Sequence, residues 1–490
     1  MTAAQTRDAD RYTIEHVPIA SVDLMENASM AFVAAFMQRY PDKHKRILIC
    51  CGTGNNGGDG LAIARLLQAQ GYAAIAVWIA RFADQESDDF AANLSRLYYT
   101  PIPVTEFFPA DEFPEIQQHV IIDALLGSGL NKPLEGDWLR LARHLNGAHC
   151  QTVAVDVPSG LRADGIMPQN EYAIHADEVI TFHRPKLSFF FPESARAMAS
   201  FHVVDIGLNE QFIERLPGDF RLVEATDSQR ILRQRERFSH KGSYGHALII
   251  AGRVHTMGAA ILACGASLYA GAGLTSASIP TEGLMALNAR YPEVMYYPYI
   301  DATTSVEKFD AVAIGPGLGA DSPHLENVLT TSSKPMVVDA DALSFLSENR
   351  ALLKRLPRQS ILTPHMKEFD RLFGPHDNWW ERIQTAKEQA TALQLIIILK
   401  NRYTFIVLPD GNVAINPTGN PAMATGGMGD VLTGTLVSFL AQGYVPHDAA
   451  ILGCYLHGLA GDRLHAAGMA IATATSVIAE LPYAIASLHD

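Results

Sequence analysis

Two glycine-rich segments, one in each half of the chain, have the composition of anion-binding loops. Residues 52–60 read GTGNNGGDG and follow an apolar run, and residues 420–430 read NPAMATGGMGD and open a helical pattern. Glycines let backbone N–H groups approach a phosphate closely, and the start of a helix adds a favourable dipole. The first segment lacks the Walker lysine and the G-x-G-x-x-G spacing, and a tight structural turn could have the same composition. Together the segments predict two sites for nucleotide-like ligands on one polypeptide.

Two aspartates stand at the ends of apolar strand patterns in the first half of the chain. Asp123 ends the run at residues 120–124, and Asp156 lies directly before a Pro-Ser-Gly turn. Ligands of open α/β sheets bind at the carboxyl ends of the strands, so both residues lie where a site is expected. A buried carboxylate is costly unless it has a partner. Asp123 is therefore predicted to bind a cation or to act chemically, and Asp156 to transfer protons, with turn capping as the alternative for both.

A third aspartate, Asp430, follows the second glycine-rich segment at the start of a helical pattern. Backbone N–H groups at that helix start could hold a transferring phosphoryl group. A carboxylate at the same place could accept the proton of an attacking hydroxyl. Aspartate is also a good N-cap, but capping alone does not require so long a run of glycines. The pattern favours a phosphoryl-transfer site with Asp430 as its base.

The apolar patterns around these residues indicate the elements that must position them. Strand-length apolar runs alternate with helical patterns through residues 47–206, and a second such series follows later in the chain. This alternation predicts an α/β fold with mostly parallel sheets and helices on both faces. Residues 224–237, between the two series, are polar and charged. Because 490 residues exceed what one core usually supports, we predict two domains, residues 1–225 and residues 226–490.

Composition excludes several classes of partner. The formal net charge is −14, which argues against nucleic acid or an anionic membrane as the main partner. The five cysteines show neither a C-x-x-C pair nor metal-binding spacing and are predicted to be buried free thiols. No apolar stretch approaches the length of a membrane span, and the first residues lack a signal core. We therefore expect a cytoplasmic protein.

Several motifs together resemble a known family. In the first half, NNGGDG (55–60), DALLGSGL (123–130) and DVPSG (156–160) are similar to the epimerase domain of the NAD(P)H-hydrate repair family. Motifs in the second half that are similar to its dehydratase domain are GPGLG (315–319), DADAL (339–343), TPHMKEF (363–369) and the segment at 420–430. The resemblance covers nearly the whole chain, in the epimerase–dehydratase order of the bacterial fusion. It implies a Rossmann-like three-layer domain followed by a ribokinase-like α/β domain.

The resemblance also implies the activities. NADH and NADPH can be hydrated at C6 of the nicotinamide ring, which gives R and S epimers of NADHX and NADPHX. The first domain would interconvert these epimers. The second would convert the S epimer to NAD(P)H with ADP as phosphoryl donor, leaving AMP and phosphate. Such enzymes use potassium and magnesium ions, and a homo-oligomer is expected.

The resemblance assigns roles to residues of the first domain. Asp156 would contact the substrate and transfer a proton. A potassium ion would be bound by Asn56, Asp123 and Ser159. The hydrate would be bound by two loops, which comprise Asn55, Asn56, Gly57, Gly58 and Asp59, and Gly127, Ser128, Gly129, Leu130, Asn131, Lys132 and Pro133.

Residues of the second domain receive roles in the same way. Asp430 would contact the hydrate and act as the base. The hydrate would otherwise be bound by Gly258, Gly317, His365, Met366, Lys367, Glu368, Phe369, Asp370 and Arg371. ADP would be bound by Lys400, Asn401, Arg402, Tyr403, Thr404, Asn420, Met423, Thr425, Gly426, Gly427, Met428 and Gly429.

Three positions depart from the family pattern. The usual Lys-Gly-x-x-Thr reads KNRYT at residues 400–404, and asparagine tolerates a positive φ better than most residues. The usual His-Pro-Gly-Glu reads HMKE at residues 365–368, and Arg253 stands where a small residue is common. None of these changes removes an implied catalytic carboxylate, so we expect both sites to be active.

Two other functions fit parts of the pattern. Ribokinase-like folds also serve kinases of vitamin precursors, which would release a stable phosphorylated product. The first domain could instead be a non-catalytic binding or scaffold module. The fused first domain disfavours the simple kinase, and the presence of both Asp123 and Asp156 disfavours the scaffold.

Overall fold

The computed structural model describes residues 1–17, 19–301 and 304–489. The chain divides into two compact units, Met1–Gly218 and Asp219–Asp490. This division lies before the boundary expected between residues 225 and 226. The reason is that strand Phe220–Leu222 pairs in parallel with strand Val413–Asn416 and so belongs to the second sheet.

The first unit is built on a parallel sheet, which has seven strands among the described residues. The strands are β1 (Ile47–Cys51), β2 (Ile75–Ala80), β3 (Val104–Phe107), β4 (Val120–Ala124), β5 (Gln151–Val155), β6 (Glu178–Phe182) and β7 (Phe201–Val204). Their order is β3-β2-β1-β4-β5-β6-β7. The central strands are continuous apolar runs because helices cover both faces of the sheet. The order reverses between β1 and β4, which is where ligands bind in folds of this type.

Helices on the two faces of this sheet complete the first unit. They are α1 (Ala3–His16), α2 (Ser21–Arg39), α3 (Asn55–Ala69), α4 (Asp88–Leu97), α5 (Gly136–Asn146) and α6 (Glu210–Ile213). Helix α3 begins directly after β1, so its N-terminus lies at the carboxyl edge of the sheet. The Rossmann-like three-layer architecture expected for this part of the chain is confirmed.

The second unit contains a larger mixed sheet. Its strands are β8 (Phe220–Leu222), β9 (His246–Ile250), β10 (Leu274–Ser278), β11 (Met295–Tyr297), β12 (Ala311–Ile314), β13 (Met336–Val338), β14 (Ile361–Leu362), β15 (Ile396–Leu399), β16 (Thr404–Val407) and β17 (Val413–Asn416). The order is β11-β10-β9-β12-β13-β14-β15-β16-β17-β8. Only β16 runs antiparallel to its neighbours among these strands, because short turns join it to β15 and β17.

Helices pack on both faces of the second sheet. They are α7 (Ala225–Ile231), α8 (Met257–Tyr269), α9 (Leu284–Arg290), α10 (Leu325–Thr331), α11 (Ala340–Glu348), α12 (Met366–Phe373), α13 (Trp379–Leu393), α14 (Met428–Ala441), α15 (Pro446–Ala466) and α16 (Ala474–Ala486). Helix α14 packs tightly on α8, since a Cβ at Gly434 would lie 2.0 Å from the Ala263 carbonyl oxygen. This close packing fixes the start of α14 beside the sheet.

The cysteine thiols are mostly buried. All five cysteines are free; four are buried and Cys150 is half-buried. Within residues 1–17, 19–301 and 304–489, no single helix is long and apolar enough to cross a membrane. The bent pair α1 and α2 reaches the required length and composition only when both helices are counted together.

Candidate active sites

A cavity of about 770 Å³ lies at the carboxyl edge of the first sheet. It lies where the strand order reverses, between the loop that opens α3 and the loop that follows β4. The residues expected to bind the hydrate that line it are Asn55, Asn56, Asp59, Gly127, Ser128, Gly129, Leu130, Asn131, Lys132, Pro133 and Asp156. The structure therefore brings together motifs that are far apart in the sequence.

Two glycines of the first loop, Gly57 and Gly58, allow close packing and do not line the cavity. A Cβ at Gly57 would lie 1.8 Å from the carbonyl oxygen of Gly52. A Cβ at Gly58 would lie 2.8 Å from Sδ of Met25 on α2. Any side chain at these positions would therefore push α3 away from its neighbours. The loop conformation that exposes Asn55 and Asn56 depends on this close approach.

Asp123 and Ser159 form a buried hydrogen-bonded pair below the cavity. The Ser159 N–H and hydroxyl donate to the two carboxylate oxygens, each at 2.7 Å. Burial raises the pKa of Asp123 to about 6, although the hydrogen bonds from Ser159 and Leu125 act in the opposite direction. The described residues provide no lysine or arginine as a counter-charge for this carboxylate.

The proposed potassium ligands fit a hard cation by their chemistry. The donor set of Asn56, Asp123 and Ser159 consists of a side-chain amide, a carboxylate and a hydroxyl, which supply the oxygen ligands that such cations prefer. The Nδ2 atom of Asn56 is buried and has no hydrogen-bond partner among the described residues. A bound cation would compensate the charge of Asp123, and the amide oxygen of Asn56 could serve as one of its ligands.

Asp156 occupies a strained turn after β5 and is held by three donors. Its φ is +62°, a left-handed conformation that is uncommon for a residue with a side chain. Its Oδ1 atom accepts hydrogen bonds from the Thr181 hydroxyl and the Phe182 N–H, both at 3.0 Å. Lys186, which is 2% exposed, places its Nζ 2.6 Å from the same oxygen. The second oxygen, Oδ2, has no partner among the described residues.

The second unit contains a cavity of about 390 Å³ beside the start of α14. The residues expected to bind ADP that line it are Lys400, Asn401, Arg402, Thr404, Asn420, Met423, Met428 and Gly429. Tyr403, Thr425, Gly426 and Gly427 do not line this cavity. The Thr425 hydroxyl instead donates to the Ala472 carbonyl at 2.9 Å. Gly427 is the N-cap of α14 with a φ of +90°, so a glycine is needed there to open the helix.

Asp430 lies in the first turn of α14, close to a buried polar network. Lys400 Nζ is 3.1 Å from an oxygen of Asp339, and the Thr433 hydroxyl donates to the other oxygen at 2.8 Å. The pKa of Asp430 is raised to about 6, first by burial and then by the charge of Asp339, while Lys400 acts in the opposite direction. The Asp430 carboxylate has no hydrogen bond or ion pair to any described residue.

With Asp430 as the base that the sequence predicts, the rate of the expected dehydration should follow the ionisation of this carboxyl group. A base must be deprotonated to work, so kcat/KM of dehydration should rise with pH through a midpoint near the pKa of about 6. We expect a roughly tenfold increase between about pH 5 and about pH 7. Initial rates of NADH formation from the S epimer with ADP, across this range, measure the effect. A flat profile would contradict the assignment of Asp430 as the base.

Residues expected to bind the hydrate in this unit come from two regions. Gly317 has a φ of +61°, and a Cβ there would lie 2.9 Å from the Thr256 carbonyl oxygen, directly before α8. Gly258, in the first turn of α8, has nothing within 4 Å of its Cβ position. Gly317 is therefore packed closely against the start of α8, whereas Gly258 has open space beside it.

The residues from His365 to Arg371 differ strongly in their surroundings. His365 is the N-cap of α12 and forms a capping box with Glu368, whose carboxylate accepts the His365 N–H at 2.8 Å. Phe369 is fully buried in the core. Asp370 accepts hydrogen bonds from Arg382; burial would raise its pKa, but Arg382 and His376 outweigh that and lower it. Phe369 and Asp370 therefore support the helix, and the carboxylate of the buried Glu368 is used in its cap. The remaining residues, His365, Met366, Lys367 and Arg371, are exposed.

The three departures from the family pattern can each be placed in the structure. Asn401 is not among the described residues with positive φ. The loop therefore does not require the left-handed conformation that asparagine tolerates better than most residues. The capping box keeps the turn at His365 without the usual Pro-Gly. Arg253 donates to the Leu318 carbonyl at 2.6 Å and packs against Gly319, covering the GPGLG turn.

Four residues at or next to the two cavities received no role from the sequence. Asp10 lines the first cavity and Lys186 contacts Asp156. His457 lines the second cavity; burial, and then Lys400, lowers its pKa to about 4, and its Nε2 atom has no partner among the described residues. Asp339 could have been predicted as a site residue from the sequence, because it stands at the end of a strand, as Asp123 and Asp156 do. No motif marks Asp10, Lys186 or His457.

Comparison with known proteins finds a family model for each unit. Residues 21–188 match the model described as YjeF-related protein N-terminus. Residues 247–483 match the model described as NAD(P)H-hydrate dehydratase. The first match contains both loops of the first cavity, and the second contains Lys400, Asp430 and their neighbours.

Individual relatives extend this similarity over nearly the full chain. A bifunctional NAD(P)H-hydrate repair enzyme of Moorella thermoacetica is 34% identical over 516 residues, covering 100% of this chain and 97% of that protein. The enzyme of the same description from Escherichia coli is 33% identical over 474 residues, covering 95% of this chain and 89% of that protein. A solved ribokinase-like superfamily protein of Enterococcus faecalis is 29% identical, with a TM-score of 0.50, and covers 56% of this chain and 98% of that one.

Proposed function

Because this chain belongs to the family of bifunctional NAD(P)H-hydrate repair enzymes, we propose that each of its two units catalyses one of the two repair reactions. The first unit interconverts the R and S epimers of NADHX and NADPHX. The second unit dehydrates the S epimer to NAD(P)H and converts ADP to AMP and phosphate. The division between Gly218 and Asp219 separates the two activities in the chain.

One observation carries the proposal: each unit has its own cavity with a glycine-rich helix start and a nearby carboxylate that has an unpaired oxygen. Asp156 is that carboxylate in the first unit and Asp430 in the second. Both lie where protons must move, since epimerisation and hydroxyl phosphorylation each require a proton acceptor. Lys186 compensates the charge of Asp156, and Lys400 lies near Asp430.

In the first unit, we assign the phosphates of the hydrate to the start of α3. Backbone N–H groups at a helix start are free to bind an anion, and Asn55 and Asn56 of this helix start line the cavity. Burial, followed by the charges of Asp156 and Asp10, raises the pKa of Asp59 well above its usual range. The protonated form of Asp59 can donate a hydrogen bond to a phosphate oxygen instead of repelling it. The loop with Gly127 to Pro133 then borders the nicotinamide end.

In the second unit, Asp430 takes the proton of the ring hydroxyl. The hydroxyl oxygen attacks the β-phosphorus of ADP, the bond from that phosphorus to the bridging oxygen breaks, and AMP leaves. Phosphate then departs from C6 with the bonding electron pair, and loss of a proton from C5 forms the double bond of NAD(P)H. Backbone N–H groups at Gly429 and the cation of Lys400 stabilise charge on the transferring group.

Two cations belong to this proposal. Magnesium would be held with ADP in the second cavity, near Lys400 and Asp430, where it would supply positive charge beside the transferring phosphoryl group. Potassium would be held by Asn56, Asp123 and Ser159. The homo-oligomeric state and the cytoplasmic location remain predictions from the sequence.

A coupled assay tests the function. Full-length protein is mixed with both epimers of NADHX, ADP, magnesium and potassium, and the absorbance of the reduced nicotinamide ring is followed. We expect all of the hydrate to return to NADH, with one AMP and one phosphate formed per turnover. A reaction without protein measures spontaneous epimerisation, which is subtracted. Recovery of the S fraction alone would make the first unit a binding module, and a stable phosphorylated product would indicate a kinase.

A further inference from the structure

Helix α1 lies outside the family-model match, which begins at residue 21, yet it is firmly anchored in the first unit. The Thr13 hydroxyl accepts the Asn209 N–H at 3.1 Å. The ring of Tyr12 stacks on Phe212, with centroids 4.2 Å apart. At the other end, the Ala3 N–H donates to Asp164 at 3.1 Å. These contacts fix which face of α1 meets the cavity.

That face places Asp10 in the cavity wall. Asp10 lines the same cavity as Asp156, and Thr6 and Arg7 line it one turn earlier on the helix. Asp10 has no hydrogen bond or ion pair to a described residue, unlike Asp8, which pairs with Arg11 at 2.6 Å on the exposed side of the helix. A half-buried carboxylate without a partner is costly, so its presence here calls for a ligand or a chemical role.

The charges around Asp10 favour its protonated form. The pKa of Asp10 is raised to about 6, first by burial and then by the charge of Asp156, while Lys186 acts in the opposite direction. Asp59 faces the same cavity with 9% of its surface exposed and no side-chain partner among the described residues. Asp156 keeps its counter-charge in Lys186, whereas Asp10 and Asp59 have none. Carboxyl groups in such different surroundings can serve as acid and base in one site.

We propose that Asp10 is the second catalytic residue of the epimerase site, the acid that acts together with Asp156 as the base. This proposal rests on the proposed function. Asp156 takes the proton of the C6 hydroxyl, the oxygen forms a carbonyl, and the C6–N1 bond breaks. The electron pair of that bond stays on N1, which takes the proton of Asp10. Rotation of the open chain and reversal of both transfers close the ring on the other face of C6, so no atom or electron is lost.

The test measures epimerisation of S-NADHX to the R form by chromatography. All variants carry Asp430→Asn so that dehydration does not consume the substrate. We expect Asp10→Asn to lower kcat of epimerisation by about a hundredfold with little change in KM. Asp8→Asn, a matched change on the same helix away from the cavity, should leave the rate unchanged. Asp10→Glu, which retains the carboxyl, should keep measurable epimerase activity.

The pH profile separates catalysis from a structural role. In the parent protein, which carries only Asp430→Asn, kcat/KM of epimerisation should fall as the pH rises above about 6, because Asp10 loses its proton. Other charged groups also face Asp10, namely Arg7, Asp59, Asp156 and Lys186. The alkaline limb, which is the fall in kcat/KM above about pH 6, must therefore disappear in Asp10→Asn and persist in Asp10→Glu. Epimerisation by Asp10→Asn at the parent rate, or a slower rate with the alkaline limb unchanged, would overturn the proposal. Loss of epimerisation in the parent itself would instead refute the proposed function.

Discussion

Replacing Asp430 by asparagine is expected to lower the dehydration rate about a thousandfold. The amide keeps the size of the carboxylate but cannot take the proton of the ring hydroxyl, and general bases contribute about a hundredfold to ten-thousandfold to rates. Asp430 has no hydrogen bond or ion pair to a described residue, so its replacement should disturb the fold little. Epimerisation should continue at the normal rate, because that reaction belongs to the other unit. NADH formation from S-NADHX and chromatography of the epimers measure the two activities separately.

A matched control makes this result specific. Asp448 also lies in the first turn of a helix, α15, but it pairs with His447 at 3.2 Å and does not line the ADP cavity. Asp448→Asn should therefore dehydrate the hydrate at the normal rate. Dehydration by Asp430→Asn at the rate of the parent protein would mean that another group is the base. Equal loss of both activities would point to misfolding.

The second large effect concerns Asp156 and its partner. Asp156→Asn should lower the epimerisation rate by at least about a hundredfold, because the base is removed. It should also destabilise the first unit, since Lys186 would stay buried without a counter-charge. Breaking a buried ion pair in this way costs about 3–5 kcal/mol in the free energy of unfolding. Dehydration of the S epimer should be unaffected while the first unit remains folded.

A double variant distinguishes catalysis from stability. In Asp156→Asn combined with Lys186→Met, the unpaired charge is gone, and an apolar side chain of similar length fills its space. We expect the first unit to regain most of its lost resistance to unfolding, as judged by thermal melting. The epimerase activity should stay as low as in the single variant. Recovery of activity together with stability would show that Asp156 acts only through the fold.

The central strands could be predicted closely, whereas the edge strands β3 and β8 could not. Strand β4 has the bounds of the apolar run at residues 120–124, because a strand covered by helices on both faces is a continuous apolar run. Strands β3 and β8 lie at sheet edges, and exposed positions in each break the apolar pattern, so they resemble loops. The polar residues 224–237, which separate the two apolar series of the sequence, contain the helix α7.

The residues of the candidate sites also include some that the sequence predicts and some that it does not. Residue type and local spacing mark the glycine-rich segments, Asp123, Asp156 and Asp430, because strand ends and helix starts are local features that a short stretch of sequence encodes. These features also place the chain in its family. The sequence by itself thus determined two phosphate-type loops, the carboxylates beside them, and an α/β fold in two parts.

Only the tertiary structure decided which other groups share those cavities. Asp10 lines the same cavity as Asp156 from a helix near the start of the chain, and Lys186 approaches Asp156 from the turn after β6. Lys400, after β15, meets Asp339, after β13, although β14 lies between these two strands in the sheet. Each pairing joins residues far apart in the sequence and depends on strand order and helix docking. No local pattern encodes those relations, because the free energy that sets them comes from burial summed over whole elements.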